Sequence, residues 1–67
     1  MEIEVRVNGT EERVQECTLE ALVEQKELAS GSLVVECNGR IVKQADWSKV
    51  VLGQGDVLEL LNFVGGG

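Results

Sequence analysis

The sequence predicts an α+β domain in which a mixed sheet of four to five strands wraps over one helix. Three observations carry this expectation. Two Asn-Gly dipeptides, at Asn8-Gly9 and Asn38-Gly39, each follow an alternating apolar segment. One stretch of helical periodicity, opened by Thr18, lies between them. A final apolar segment from Val57 onward completes the order strand, strand, helix, strand, short strand, strand.

The 67 residues include 22 Val, Ile, Leu and Phe, about a third of the chain and well above the roughly 20% below which chains stay disordered. A domain of this size buries only about 60% of its unfolded surface, so one modest core is expected. No repeat, linker or second domain remains to be placed.

Ile3, Val5 and Val7 alternate with Glu2, Glu4, Arg6 and Asn8, the period-2 pattern of a strand with one buried face. Asn8-Gly9 supplies the positive φ angles that a tight hairpin turn requires. Glu12 to Cys17 reads as the returning strand, with only Val14 and Cys17 apolar. Thr18 is placed to cap a helix from about Thr18 to Glu27, with Leu19, Leu22 and Val23 at helical spacing behind it. Cys17 and Leu22 occupy the two positions of a hydrophobic staple. The helix is expected to end near Ser30-Gly31, where glycine suits a left-handed cap.

Leu33, Val35 and Cys37 alternate with Val34 and Glu36, and Asn38-Gly39 then turns the chain into Arg40-Ile41-Val42, a second hairpin. Lys43 to Val50 is polar around Trp47 and reads as an irregular or single-turn helical crossover. Gly53-Gln54-Gly55-Asp56 is a loop. Val57 to Val64 forms the last strand, with Leu58 and Leu60 on one face and Val57, Leu61 and Phe63 on the other. This order of elements is that of the β-grasp, or ubiquitin-like, fold.

Composition removes several function classes. Twelve acids against six bases give a formal charge of -6, which would repel a phosphate backbone, so nucleic acid is not an expected partner. Apolar runs of three residues, such as Val50-Val51-Leu52, fall far short of the roughly 18 needed to cross a bilayer, and no secretion signal opens the chain. No membrane partner and a cytoplasmic location are expected. Two cysteines, Cys17 and Cys37, could form at most one bridge, which agrees with a reducing compartment. With no histidine to complete a site, they are read as buried, inert thiols rather than metal ligands. The usual general base at neutral pH is also missing, so the chain is not expected to be an enzyme. No bound cofactor or metal is expected.

Gly65-Gly66-Gly67 lacks the lysine and following helix of a phosphate loop. A tail without side chains can instead be threaded through a narrow channel, and it adopts backbone angles closed to other residues.

The stretch Asn38-Gly39-Arg40-Ile41-Val42, then Trp47, Val51-Leu52, Gly55-Asp56 and Val64-Gly65-Gly66-Gly67, resembles the ThiS family of sulfur carriers in thiamin biosynthesis. Thr18-Leu19, continuing through Ala21-Leu22-Val23, fits the same pattern, so the resemblance covers essentially the whole chain. Its specific part is the spacing around Trp47 together with the terminal diglycine. Lys43 stands where many members have proline, and the second strand is unusually acidic. The related molybdopterin-synthase small subunits (MoaD) usually carry a proline-containing segment before their diglycine; Asn62-Phe63-Val64 has none, which favours the thiamin branch.

The resemblance implies residues 1–64 as a β-grasp domain and 65–67 as a flexible tail. It implies that the Gly67 carboxylate is adenylated by a ThiF-like activating enzyme using ATP and magnesium, and that a sulfur donor protein converts it to a thiocarboxylate. The loaded tail would then supply a ThiG-like thiazole synthase. Delivery to molybdopterin, to a tungsten cofactor or to transfer-RNA thiolation, and a ubiquitin-like modifier role, are the alternatives. Val57, Leu61 and Phe63, sharing a face next to the tail, are candidates for docking the partner.

Overall fold

Alternation in the first segment becomes β1 (Glu2–Val7), whose Ile3, Val5 and Val7 are buried while Glu2, Glu4 and Arg6 face solvent. The computed structural model describes residues 1–28 and 30–62. Asn8 and Gly9 take φ of +50° and +83°, both positive as a type I′ turn demands. The chain returns antiparallel as β2 (Thr10–Gln15). This strand starts and ends two residues earlier than the sequence suggests. The ladder begins directly after the turn, through Thr10 and Glu11, whose polar side chains carry no apolar signal.

The helix α1 (Leu19–Gln25) begins as expected: the Ala21 amide donates to Thr18 Oγ1 at 3.1 Å. The Leu19 amide donates to the Val50 carbonyl at 2.8 Å, so the crossover segment satisfies another of the donors that a helix start leaves unpaired. Cys17 packs against the core and Leu22 lies within it, consistent with the staple. The expected end near Ser30-Gly31 is not found. The helix closes at Lys26, and Glu27 adopts the left-handed conformation at φ +54°. That reversal returns Leu28 to the edge of the core, a hydrophobic closure that outweighs the cost of a non-glycine residue at positive φ. Ser30–Ser32 forms a separate 3₁₀ turn.

The second hairpin pairs β3 (Leu33–Cys37) with β4 (Arg40–Val42), and Asn38 and Gly39 at φ +52° and +84° repeat the first turn's geometry. The crossover is a 3₁₀ helix over Gln44–Lys49. Its Trp47 is buried, and the indole nitrogen donates to the Val42 carbonyl at 2.9 Å. The last strand, β5, spans Val57–Asn62; Phe63 and Val64, assigned to it from the sequence, lie outside the described residues.

The five strands form one mixed sheet in the order β2-β1-β5-β3-β4. β5 runs parallel to β1 and antiparallel to β3, so it occupies the centre. Leu19, Leu22 and Val23 of α1 join Ile3, Val5, Val7, Leu33, Val35, Leu58 and Leu60 of the sheet, with Trp47 and Leu52, in a single core cluster.

Both hairpin asparagines reach across to β5. Leu60 donates its amide to Asn8 Oδ1 at 2.8 Å, and Asn8 Nδ2 donates to the Leu60 carbonyl at 3.2 Å. Val57 donates to Asn38 Oδ1 at 2.9 Å, and Asn38 Nδ2 donates to Asp56 Oδ1 at 3.1 Å. Asp56 in turn accepts the Gly53 amide at 2.8 Å, closing a turn in which Gly55 stands at φ +85°.

Replacing Asn8 by glycine keeps the turn unstrained but removes two hydrogen bonds to a central strand. At about 0.5–1.5 kcal/mol each, a loss of about 2 kcal/mol is expected in urea unfolding. Gly9→Ala meets no atom within 4 Å, so only backbone strain, about 1 kcal/mol, is expected; equal losses in the two variants would remove the asparagine from this role.

Candidate functional site

The outward face of β5 presents Val57, Glu59 and Leu61, because Leu58 and Leu60 take the inward positions of the alternation. Val57 and Leu61 are 45% and 51% exposed. The third predicted member of this set, Phe63, and the tail glycines Gly65, Gly66 and Gly67 lie outside the described residues.

Register adds residues that the one-dimensional pattern did not reveal. Val34 of β3 stands opposite Leu61, and Glu36 stands opposite Glu59. Ile41 of β4 stands opposite Glu36 and is 69% exposed. The outer face therefore holds Val57, Leu61, Val34 and Ile41 around two facing carboxylates. A three-residue strand has too few positions to show which way Ile41 points; its partner on β3 decides it. Arg6 borders the face beside Val57, where its guanidinium lies 3.5 Å from Glu11.

A cleft of about 200 Å³ lies beside Val57, lined by Glu4, Arg6, Glu11, Gln54 and Gly55 among others. A second, of about 280 Å³, lies between α1 and the crossover, with Glu20, Glu24, Leu28 and Trp47 on its walls. Both fall below the roughly 300–1,000 Å³ typical of small-molecule sites. Among the described residues no three His, Cys, Asp or Glu side chains group as metal ligands, and no helix is long and apolar enough to cross a membrane.

The two thiols pack against the core but are half-buried rather than buried. Each sits at an element boundary, Cys17 just before the helix cap and Cys37 at the end of β3, where packing is one-sided. Burial pushes the Cys37 thiol above its ordinary value of 9.0, and the nearby Asp56 carboxylate adds to the rise. Both effects disfavour the thiolate, the nucleophilic form.

One helix crossing a mixed five-stranded sheet, with the last strand at its centre, defines a β-grasp domain. Residues 4–67 match the ThiS family over nearly the whole chain, and the chain belongs to that family. The crystal structure of thiamine biosynthesis protein ThiS from Geobacter metallireducens superposes with a TM-score of 0.83 at 26% identity, covering 97% of this chain and 100% of that one. An NMR solution structure of a thiamine biosynthesis protein from the same organism gives 0.81 at 26% identity, covering 97% and 88%. A thiazole synthase of Paramagnetospirillum magneticum is 36% identical over 62 residues, 91% of this chain. The chain spans about a fifth of that relative's length, 19%.

The Cys37 environment sets a pH dependence. The folded thiol holds its proton more tightly than the unfolded one, so its contribution to stability is whole below pH 9.0 and is lost as pH rises through the higher folded value. Alkylation of Cys37 by iodoacetamide at pH 8 is expected to be slower in the folded protein than in urea, as read by peptide mass. Equal rates in the two states would contradict the assigned environment.

Proposed function

We propose that this chain is a sulfur carrier of thiamin biosynthesis, with the Gly67 carboxylate as the group that carries sulfur. The observation that supports this most is the ThiS family match reaching through the glycine tail, on a sheet whose central strand leads into that tail.

The chemistry arises from what a carboxylate lacks. Its charge is delocalised and its leaving group would be oxide, so it resists attack. Attack of a Gly67 carboxylate oxygen on the α-phosphorus of ATP, held with magnesium by an activating partner, releases pyrophosphate and leaves an acyl adenylate. Hydrosulfide supplied by the sulfur donor then adds to the acyl carbon, AMP departs with the bonding pair of the acyl C–O bond, and the thioacid loses its proton. The product is a thiocarboxylate whose sulfur is the nucleophile at the end of an arm.

In this reading the chain supplies position and identity, while ATP binding and catalysis belong to the partner. The chain is therefore a carrier substrate, not an enzyme. A protein named thiazole synthase that contains a segment like this chain supports thiazole synthase as the acceptor. The partly apolar face around Val57 and Leu61 serves as the docking surface for the activating enzyme. The acidic surface steers the approach.

Incubation with the cognate activating enzyme, ATP and a sulfur source is expected to replace one oxygen of Gly67 with sulfur in the intact mass. An unchanged mass with a partner shown to be active on another substrate rejects the carrier role. Deleting Gly67, or replacing Gly66 with a bulky residue, is expected to abolish ATP–pyrophosphate exchange while circular dichroism stays unchanged. Leu61→Asp, at a half-exposed position, is expected to raise KM for the activating enzyme at least tenfold without unfolding the domain. Cys17→Ala/Cys37→Ala is expected to lose some stability, yet load sulfur normally. A folded double variant that cannot be loaded would require a persulfide or acyl-disulfide step through one of these thiols.

A further inference from the structure

The outer face of the sheet contains one arrangement that ladder energetics oppose. Glu36 of β3 stands directly opposite Glu59 of β5, and like charges facing one another across a strand pair are destabilising. Four of the chain's six cations are paired with other acids: Arg6 with Glu11, Arg13 with Glu4, Lys26 with Glu12 and Lys49 with Asp46. Arg40 stands opposite Cys37, on the other face from Ile41. Among the described residues no cation lies within ion-pair distance of Glu36 or Glu59.

Apolar side chains surround the pair. Val34 and Leu61 are one step along the same face, Val57 is one step the other way, and Ile41 flanks Glu36. A carboxylate pair in the middle of an apolar surface is costly to cover, because a docked partner strips its water. The cost is offset where the partner brings a positive charge that makes charge-assisted hydrogen bonds to both acids.

The tail confines where that partner sits. Gly67 lies six positions beyond Leu61 in the sequence, a stretch that can span at most roughly 20 Å. An enzyme acting on the Gly67 carboxylate has its active site within that radius, so its surface is brought against this end of β5.

We propose that Glu36 and Glu59 form a recognition site for a cationic side chain, arginine or lysine, of the adenylating partner, at the centre of the docking face. This rests on the carrier reading above. The face then selects by penalty as well as by attraction: an apolar partner without the cation buries two like charges unpaired and is rejected.

The test compares wild type with the Glu36→Gln/Glu59→Gln variant, using the activating enzyme of the same organism. Calorimetry at low and moderate salt gives Kd, thermal unfolding gives Tm, and intact mass gives thiocarboxylate formation. The double variant is expected to bind at least tenfold more weakly at low salt, with a shallower salt dependence, while its Tm rises because the repulsion within the sheet is gone. A merely structural pair would move binding and Tm downward together, and that result overturns the proposal. So does a change in Kd of less than threefold. In either case a wild-type chain that still loads sulfur leaves the carrier reading standing. A wild-type chain that is not loaded overturns both.

Discussion

The central position of β5 rests on hydrogen bonds that the strand ladder alone does not supply. β1 and β5 share only the pairs Arg6–Val57 and Val7–Leu58 in parallel register, a short seam between the two hairpins. Side chains lengthen it at both ends. Asn8, already left-handed in its turn, donates to and accepts from the Leu60 backbone, and Gln54 Oε1 accepts the Glu4 amide at 3.0 Å. On the opposite side Asn38 takes the Val57 amide and holds Asp56, which holds Gly53. Each turn asparagine thus does two things: it adopts the positive φ that its hairpin requires and it fastens the strand that joins the hairpins.

That fastening also anchors the exit of the chain from β5. A terminal segment attached to an edge strand would inherit the fraying of that edge. Here the chain leaves from an interior strand whose last residues, Leu61 and Asn62, stay paired with β3 opposite Val34 and Leu33, and Ser32 Oγ donates to Asn62 Oδ1 at 2.9 Å at its last described position. The point of exit is therefore fixed relative to the outer face of β3 and β4. A partner that recognises that face also knows where the tail is attached, which reduces the entropy lost in positioning it.

Much of this was readable from the residues because local and global signals coincide. Alternation in β1, the two Asn-Gly turns and the Thr18 cap each specify a conformation by themselves, and all were found where expected. The misplacements occurred where a tertiary partner overrides the local signal. Thr10 and Glu11 lie in β2 because β1 pairs with them. Glu12, opposite buried Val5, is tolerated on the inward side because Lys26 donates to both its oxygens at 2.8 and 2.9 Å. Glu27, not a glycine, ends the helix because Leu28 has a place in the core. Ile41 joined the outer face only through its register with Glu36, a relation between strands that no single segment contains.

The two ways in which this sheet handles acids bear on its surfaces. An inward acid on an edge strand discourages a further strand from pairing there, and Glu12 occupies such a position with its charge matched by the helix. Glu36 and Glu59 face outward on two interior strands, where no edge needs protection, and among the described residues no cation lies within ion-pair distance of either. A surface glutamate in water costs little, so their exposure alone needs no explanation. Their direct opposition does, because an alternative register or a single neutral residue would have removed the repulsion without disturbing the core beneath. The arrangement is intelligible if the relevant state of this face is the covered one, in which the charge that the domain lacks is supplied from outside.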